Sequence, residues 1–133
     1  MGKEFESKDA RFVTGLKMPK SLGVTISHLA PEIFHIFSAA KINCIEEHKK
    51  ADIYAFGLVV YGVLCRCSVW KGLKDAEIRS IVSSGNRPNF PESVQNSTDT
   101  IIMNLIELAK ACWSQNPADR PSIAEIVQVF LPE

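Results

Sequence analysis

Between Asp52 and Arg66 the chain reads Ile-Tyr-Ala-Phe-Gly-Leu-Val-Val-Tyr-Gly-Val-Leu-Cys, and no residue of that run is strongly polar. So uniform a run has no period to separate helix from strand. Its thirteen residues are long for a strand and ordinary for a helix. A helix that is apolar all round is buried on every side or sits in a membrane. A bilayer span needs about 20 apolar residues, and charges close this run sooner. The pattern therefore predicts a central helix in a soluble helical domain. Gly57 and Gly62 would let neighbouring backbones approach it closely.

The flanking pattern supplies shorter elements. Residues 1–20 are mixed and charged without sustained periodicity, which predicts a loosely ordered arm. Residues 21–29 read as extended. Pro31 and Glu32 then suit the first turn of a short apolar helix carrying Ile33, Phe34, Ile36 and Phe37. A polar connection over 38–51 leads to Asp52, placed as an N-cap. After a turn at Trp70-Lys71-Gly72, Asp75 would cap a helix whose Ile78, Ile81 and Val82 share a face, with Gly85 ending it. Pro88 and Pro91 forbid helix across 86–91. A further helix is predicted from Ser97–Asp99 to Trp113, stopped by Pro117. The last has a capping box, Ser122-Ile123-Ala124-Glu125, followed by Ile126, Val127 and Phe130 on one face. Strand signals are almost absent, so the fold class is mainly α.

Composition narrows the class of partner. The 133 residues make one domain with one core, and fifteen basic residues balance fifteen acidic ones. A neutral chain offers no electrostatic reason to bind nucleic acid or an anionic membrane. Cys44, Cys65, Cys67 and Cys112 read as small buried hydrophobes of a reducing compartment, and Cys65-x-Cys67 lacks zinc-site spacing. No apolar signal core opens the chain; a cytoplasmic protein is expected.

Four segments, in order and in register, resemble the C-terminal half of a protein kinase domain. Leu29-Ala30-Pro31-Glu32 is similar to the Ala-Pro-Glu that ends the activation segment. Asp52-Ile53-Tyr54-Ala55-Phe56-Gly57 is similar to the start of the F helix, and Gly85-Asn86-Arg87-Pro88 to the Arg-Pro after the G helix. Cys112-Trp113-Ser114-Gln115-Asn116-Pro117-Ala118-Asp119-Arg120-Pro121-Ser122 resembles the link between the H and I helices. The Cys-Trp and Arg-Pro-Ser wording is that of tyrosine-kinase-like and tyrosine kinases. The resemblance covers about residues 21–131 and implies a partial kinase domain over 21–133: a short helix after Ala-Pro-Glu, then F, G, H and I helices, with no N-lobe. It also implies residue roles. Glu32 and Arg120 match a buried ion pair tying the activation segment to the lower lobe. Asp52 matches the F-helix aspartate that anchors the catalytic loop. Thr25 lies where serine/threonine-specific members carry the threonine of the substrate-docking loop, and Trp113 matches a tryptophan of the lower core.

Phosphoryl transfer needs groups that cradle phosphates, hold magnesium and orient the acceptor hydroxyl. In the family these are a glycine-rich loop, a strand lysine, His-Arg-Asp with its downstream Asn, and Asp-Phe-Gly. None of these motifs occurs here: His28, His35 and His48 are followed by Leu, Ile and Lys, and the nearest candidate for the third is Asp9-Ala10-Arg11. The chain thus looks like a kinase domain cut off inside the activation segment. No catalytic, cofactor-binding or metal residue is expected in it, although ATP and magnesium serve the full family domain. Three readings are weighed: part of an active serine/threonine-type kinase of signalling, a pseudokinase-like scaffold that binds protein partners, or an unrelated helical interaction module without catalysis. A helix stripped of its family neighbours should expose Ile53, Phe56, Val60 or Leu64, so self-association through the F-helix surface is expected.

Overall fold

The computed structural model describes residues 26–34 and 45–131. The arm predicted over 1–20 lies outside them, as do Ile36 and Phe37. Helix α1 spans Ile45–Cys65, α2 Asp75–Ser83, α3 Glu92–Gln95, α4 Thr100–Cys112 and α5 Ile123–Phe130. Short 3-10 turns form at Ile26–His28 and Pro117–Asp119, and residues 31–34 are helical. No strand occurs among the described residues. The mainly α fold is thus the observed one.

Local chemistry sets most of the boundaries. Ser122 caps α5 reciprocally: its hydroxyl accepts from Glu125 N–H at 3.1 Å, and Glu125 Oε1 accepts from Ser122 N–H at 2.8 Å. Asp99 caps α4, its carboxylate accepting from Ile101 N–H at 2.9 Å. Gly85, at φ 92°, ends α2. Its N–H reaches Val82 O at 3.0 Å and that of Asn86 reaches Ile81 O at 3.1 Å, the paired closure that a left-handed residue after a helix permits. Asp75 is not the cap of α2 but its first residue; Lys74 caps it through its backbone N–H, which donates to Glu77 Oε1 at 2.8 Å. Residues 26–28 form a 3-10 turn rather than an extended run.

The largest departure is at α1. It begins seven residues before Asp52, which is inside the helix and not its N-cap. The segment Glu46-Glu47-His48-Lys49-Lys50-Ala51 is polar, yet nearly all of it is good helix former, with Glu ahead of Lys at helical spacing. Polarity alone had marked it as a connection.

Helix α1 lies between two apolar clusters. Tyr54, Leu58 and Tyr61 pack with Ala30, Phe34, Val82, Phe90, Ile106, Ala109 and Trp113; Ile53 packs with Leu108, Cys112 and Ile126. Burial is not all round, however. Ile53 and Val60 are covered and Phe56 and Leu64 half-buried, whereas Val59 and Val63 stand 49% and 70% exposed. The open stripe is Asp52, Val59 and Val63, one face at helical spacing, with half-buried Phe56 at its edge. Ile53 is covered by Leu108 and Cys112 of α4 together with Ile126 of α5. That contact uses up α5's inward side, so Val127 and Phe130, expected on the buried face, are exposed.

At Gly57, α1 and α4 approach closely. A Cβ there would lie 2.9 Å from Cys112 Cβ and 3.0 Å from Ala109 O, whereas at Gly62 it would meet only Cys67 O at 3.4 Å. Gly57→Ala gains up to about 1 kcal/mol of helix propensity but must push a backbone carbonyl away. A net loss of about 1–2 kcal/mol is expected from such overpacking. Gly62→Ala, the control, should be neutral or stabilising, and denaturant midpoints of the two variants check the contrast.

Candidate functional site

Arg120 is the centre of the polar network. The 3-10 turn at Pro117–Asp119, capped by Asn116, delivers it in extended conformation, and it is 2% exposed. Its Nη1 and Nη2 donate to Glu32 Oε2 and Oε1, both at 2.8 Å. The same guanidinium donates to Lys50 O and Ser114 O, each at 2.9 Å. Lys50 Nζ returns a bond to Arg120 O at 2.9 Å. A bidentate arginine–carboxylate pair is the strong form of this contact. Here it ties the helical turn at 31–34, α1 and the loop after α4 to one side chain.

Tyr54 is fully buried next to this pair. The guanidinium carbons of Arg87 and Arg120 lie over its ring, 5.1 and 5.3 Å from the centroid, in cation–π range. Its hydroxyl is buried with no hydrogen-bond partner among the described residues. Burial pushes its pKa up, against the pull of the two arginines. Arg87 itself donates from Nε to Trp113 O at 2.8 Å and from Nη1 to Asn86 O at 2.7 Å, and Nη2 meets Gln115 Oε1. Burial lowers the Arg87 pKa.

Trp113 sits in an aromatic cluster. Its ring stacks on Phe90 at 5.8 Å and lies tilted to Tyr61 at 6.2 Å, with Tyr61 and Phe90 5.1 Å apart. Thr25 lies outside the described residues. Asp52 is exposed. It lines an open groove of about 370 Å³ with Lys50, Ile53, Pro121 and Ser122. Among the described residues nothing bonds its carboxylate. Of the cysteines, Cys112 alone is the buried hydrophobe expected, burial pushing its thiol up to about 11; Cys67 is exposed, and Cys44 lies outside the described residues.

The structure therefore joins Glu32 to Arg120 and sets Trp113 one shell away, through Arg87 and Tyr54. Asp52 stands apart from them. Sequence reasoning assigned no role to Lys50, Tyr54 or Arg87. Arg87 stood in a quoted motif, but its partners are mostly backbone carbonyls, which leave no trace in residue identity. No three His, Cys, Asp or Glu side chains group as metal ligands among the described residues. The motifs that would hold ATP and magnesium are missing from the sequence. No helix among the described residues is long and apolar enough to cross a membrane.

The family profile of protein tyrosine and serine/threonine kinases matches residues 10–130. A probable serine/threonine-protein kinase of Dictyostelium discoideum is 39% identical over 82% of this chain and 7% of its own length. Human receptor-interacting serine/threonine-protein kinase 3 is 32% identical over 77% of the chain and 19% of its own length. Human receptor-interacting serine/threonine-protein kinase 1 is 27% identical over 96% of the chain and 17% of its own length. The chain thus spans less than a fifth of each of these relatives.

Proposed function

Because the chain belongs to the family of protein tyrosine and serine/threonine kinases, we propose that it is the helical platform of a serine/threonine-type kinase domain. The family reaction, ATP-dependent phosphorylation of protein hydroxyls in signalling, would then depend on residues other than these. The observation that carries the reading is the bidentate Glu32–Arg120 pair. It joins the Ala-Pro-Glu segment to the Arg-Pro-Ser segment, two stretches whose wording is the family's. In this reading Thr25 docks substrate, Asp52 anchors the catalytic loop, Trp113 fills the lower core and the protein is cytoplasmic.

The chain by itself binds neither ATP nor magnesium in this reading. Titration with a fluorescent ATP analogue is expected to show no saturable change. Micromolar binding competed away by ATP would overturn the platform reading.

The partner is the remainder of a kinase domain, or a protein surface that takes its place, seated on the open stripe of α1. Half-exposed valines on one face favour such cover, at about 1.5–3 kcal/mol for each side chain fully buried. Sedimentation of the purified chain should show self-association, reduced in Val59→Asp and Val63→Asp. A monomer at all concentrations that binds no hydrophobic dye would count against it.

A further inference from the structure

Helix α5 carries more apolar surface than its own fold covers. Its sequence, Ile-Ala-Glu-Ile-Val-Gln-Val-Phe, has only two polar residues, and Ile126 alone of the eight is buried. At helical spacing Ile123, Ala124, Val127 and Phe130 share one face. Glu125 falls on the far side, where its Oε1 accepts from Ser122 N–H at 2.8 Å. Ile123, Val127, Phe130 and the following Leu131 are 66%, 45%, 57% and 51% exposed. Ala124 is exposed as well. Of these residues only Ile123 borders the groove beside Asp52, so the face is distinct from Val59 and Val63 on α1.

Size and shape both bear on what covers it. The exposed parts of these side chains amount to roughly 500 Å² of apolar surface, within the range of about 300–600 Å² reached by a monomer's largest and often functional patch. Two copies laid face to face would remove about 1,000 Å² from water, the size at which specific interfaces begin. The face also complements itself. Antiparallel pairing about a two-fold axis at Val127 sets Phe130 against Ala124, the largest side chain against the smallest. Ile123 and Leu131 oppose one another in the same register. No charge lies in the face, so it offers a charged peptide or an anionic surface nothing to pair with.

We propose that α5 is an isologous dimer interface, pairing antiparallel with α5 of a second copy of this chain about a two-fold axis at Val127. The inference goes beyond the platform reading, whose partner sits on the open stripe of α1. Such a contact closes at two copies. Its area is at the low end for a specific interface, so the affinity is micromolar or weaker.

The test uses the full chain carrying Val59→Asp and Val63→Asp, which takes the α1 stripe out of the outcome. Sedimentation equilibrium from micromolar to near-millimolar protein should show the mass rising from one chain to two and no further. Adding Val127→Asp should hold it at one chain throughout, with far-ultraviolet circular dichroism unchanged. Cysteine variants read the register without adding charge, and they decide the matter should the aspartate unfold α5. With Cys67→Ser as the only other change, mild oxidation should join two copies of Val127→Cys through residue 127, located by mass. Val129→Cys is exposed on another side of the same helix and should stay unlinked over the same time. A Val59→Asp/Val63→Asp chain that remains monomeric would overturn the proposal, as it would if a different protein or the remainder of a kinase domain takes this face. So would a mass climbing past two chains, or equal linkage at 127 and 129. Neither the nucleotide titration nor the comparison of Val59→Asp and Val63→Asp with the unsubstituted chain depends on Val127, so the platform reading stands or falls separately.

Discussion

Arg120→Ala is expected to lower the unfolding free energy by about 3–5 kcal/mol, the cost of leaving a buried charge without its partner. The loss has two sources. Glu32 keeps its carboxylate with the bidentate donor gone, and its side chain is only 22% exposed. The carbonyls of Lys50 and Ser114 lose the N–H groups that reach them at 2.9 Å. Arg120→Lys should recover little, because one ammonium cannot present parallel donors to the carboxylate and two more to separate carbonyls. The double variant Glu32→Met/Arg120→Met separates the two sources. Removing both charges should restore the part owed to the uncompensated carboxylate and leave the part owed to the carbonyls. Urea midpoints of the four proteins, with slopes unchanged, measure the two parts. An Arg120→Ala midpoint equal to that of the unsubstituted chain would show the pair to be energetically idle.

What could be read from the sequence followed the range of the interaction. The cap at Ser122–Glu125 joins residues three positions apart, and its geometry is written in the residue types that make it. The same holds for Gly85, whose left-handed turn needs no distant partner. Glu32 and Arg120 are 88 positions apart, and nothing local marks either as buried. Only the wording of the two motifs around them put them in one frame. Roles played through backbone carbonyls were not legible at all: Lys50 and Arg87 bond carbonyls, which every residue carries. Nor was the choice of open face on α1. An apolar run states that it prefers cover, but the neighbours decide which residues receive it. Leu108, Cys112 and Ile126 cover Ile53, while Val59 and Val63 stay exposed. The start of α1 was missed for the opposite reason, since a polar run of strong helix formers looks like a connection until tertiary contacts hold it in a helix.

Trp113→Ala is expected to cost about 3–5 kcal/mol, the range for removing a large aromatic from a packed core. Trp113 is 6% exposed, and its ring meets Phe90 and Tyr61 at 5.8 and 6.2 Å. Each such aromatic pair adds roughly 0.5–1.5 kcal/mol beyond area burial. The site has little room to collapse onto the space left. The backbone of Trp113 is pinned from both sides, its N–H bonding Ala109 O at 3.1 Å and its carbonyl accepting from Arg87 Nε at 2.8 Å. Domains of this kind are stable by only about 5–15 kcal/mol. One substitution therefore removes a large share of the margin. Trp113→Phe keeps a ring against Phe90 and should lose less than half as much. Tryptophan emission is a poor probe here, because the variant deletes one of the two tryptophans in the chain. Far-ultraviolet circular dichroism against urea reads the helices instead. A Trp113→Ala midpoint within experimental error of the unsubstituted chain would mean that the aromatic cluster does not support the fold. The joint between α1 and α4 would then rest on the close approach at Gly57, and Gly57→Ala would become the more damaging of the two substitutions.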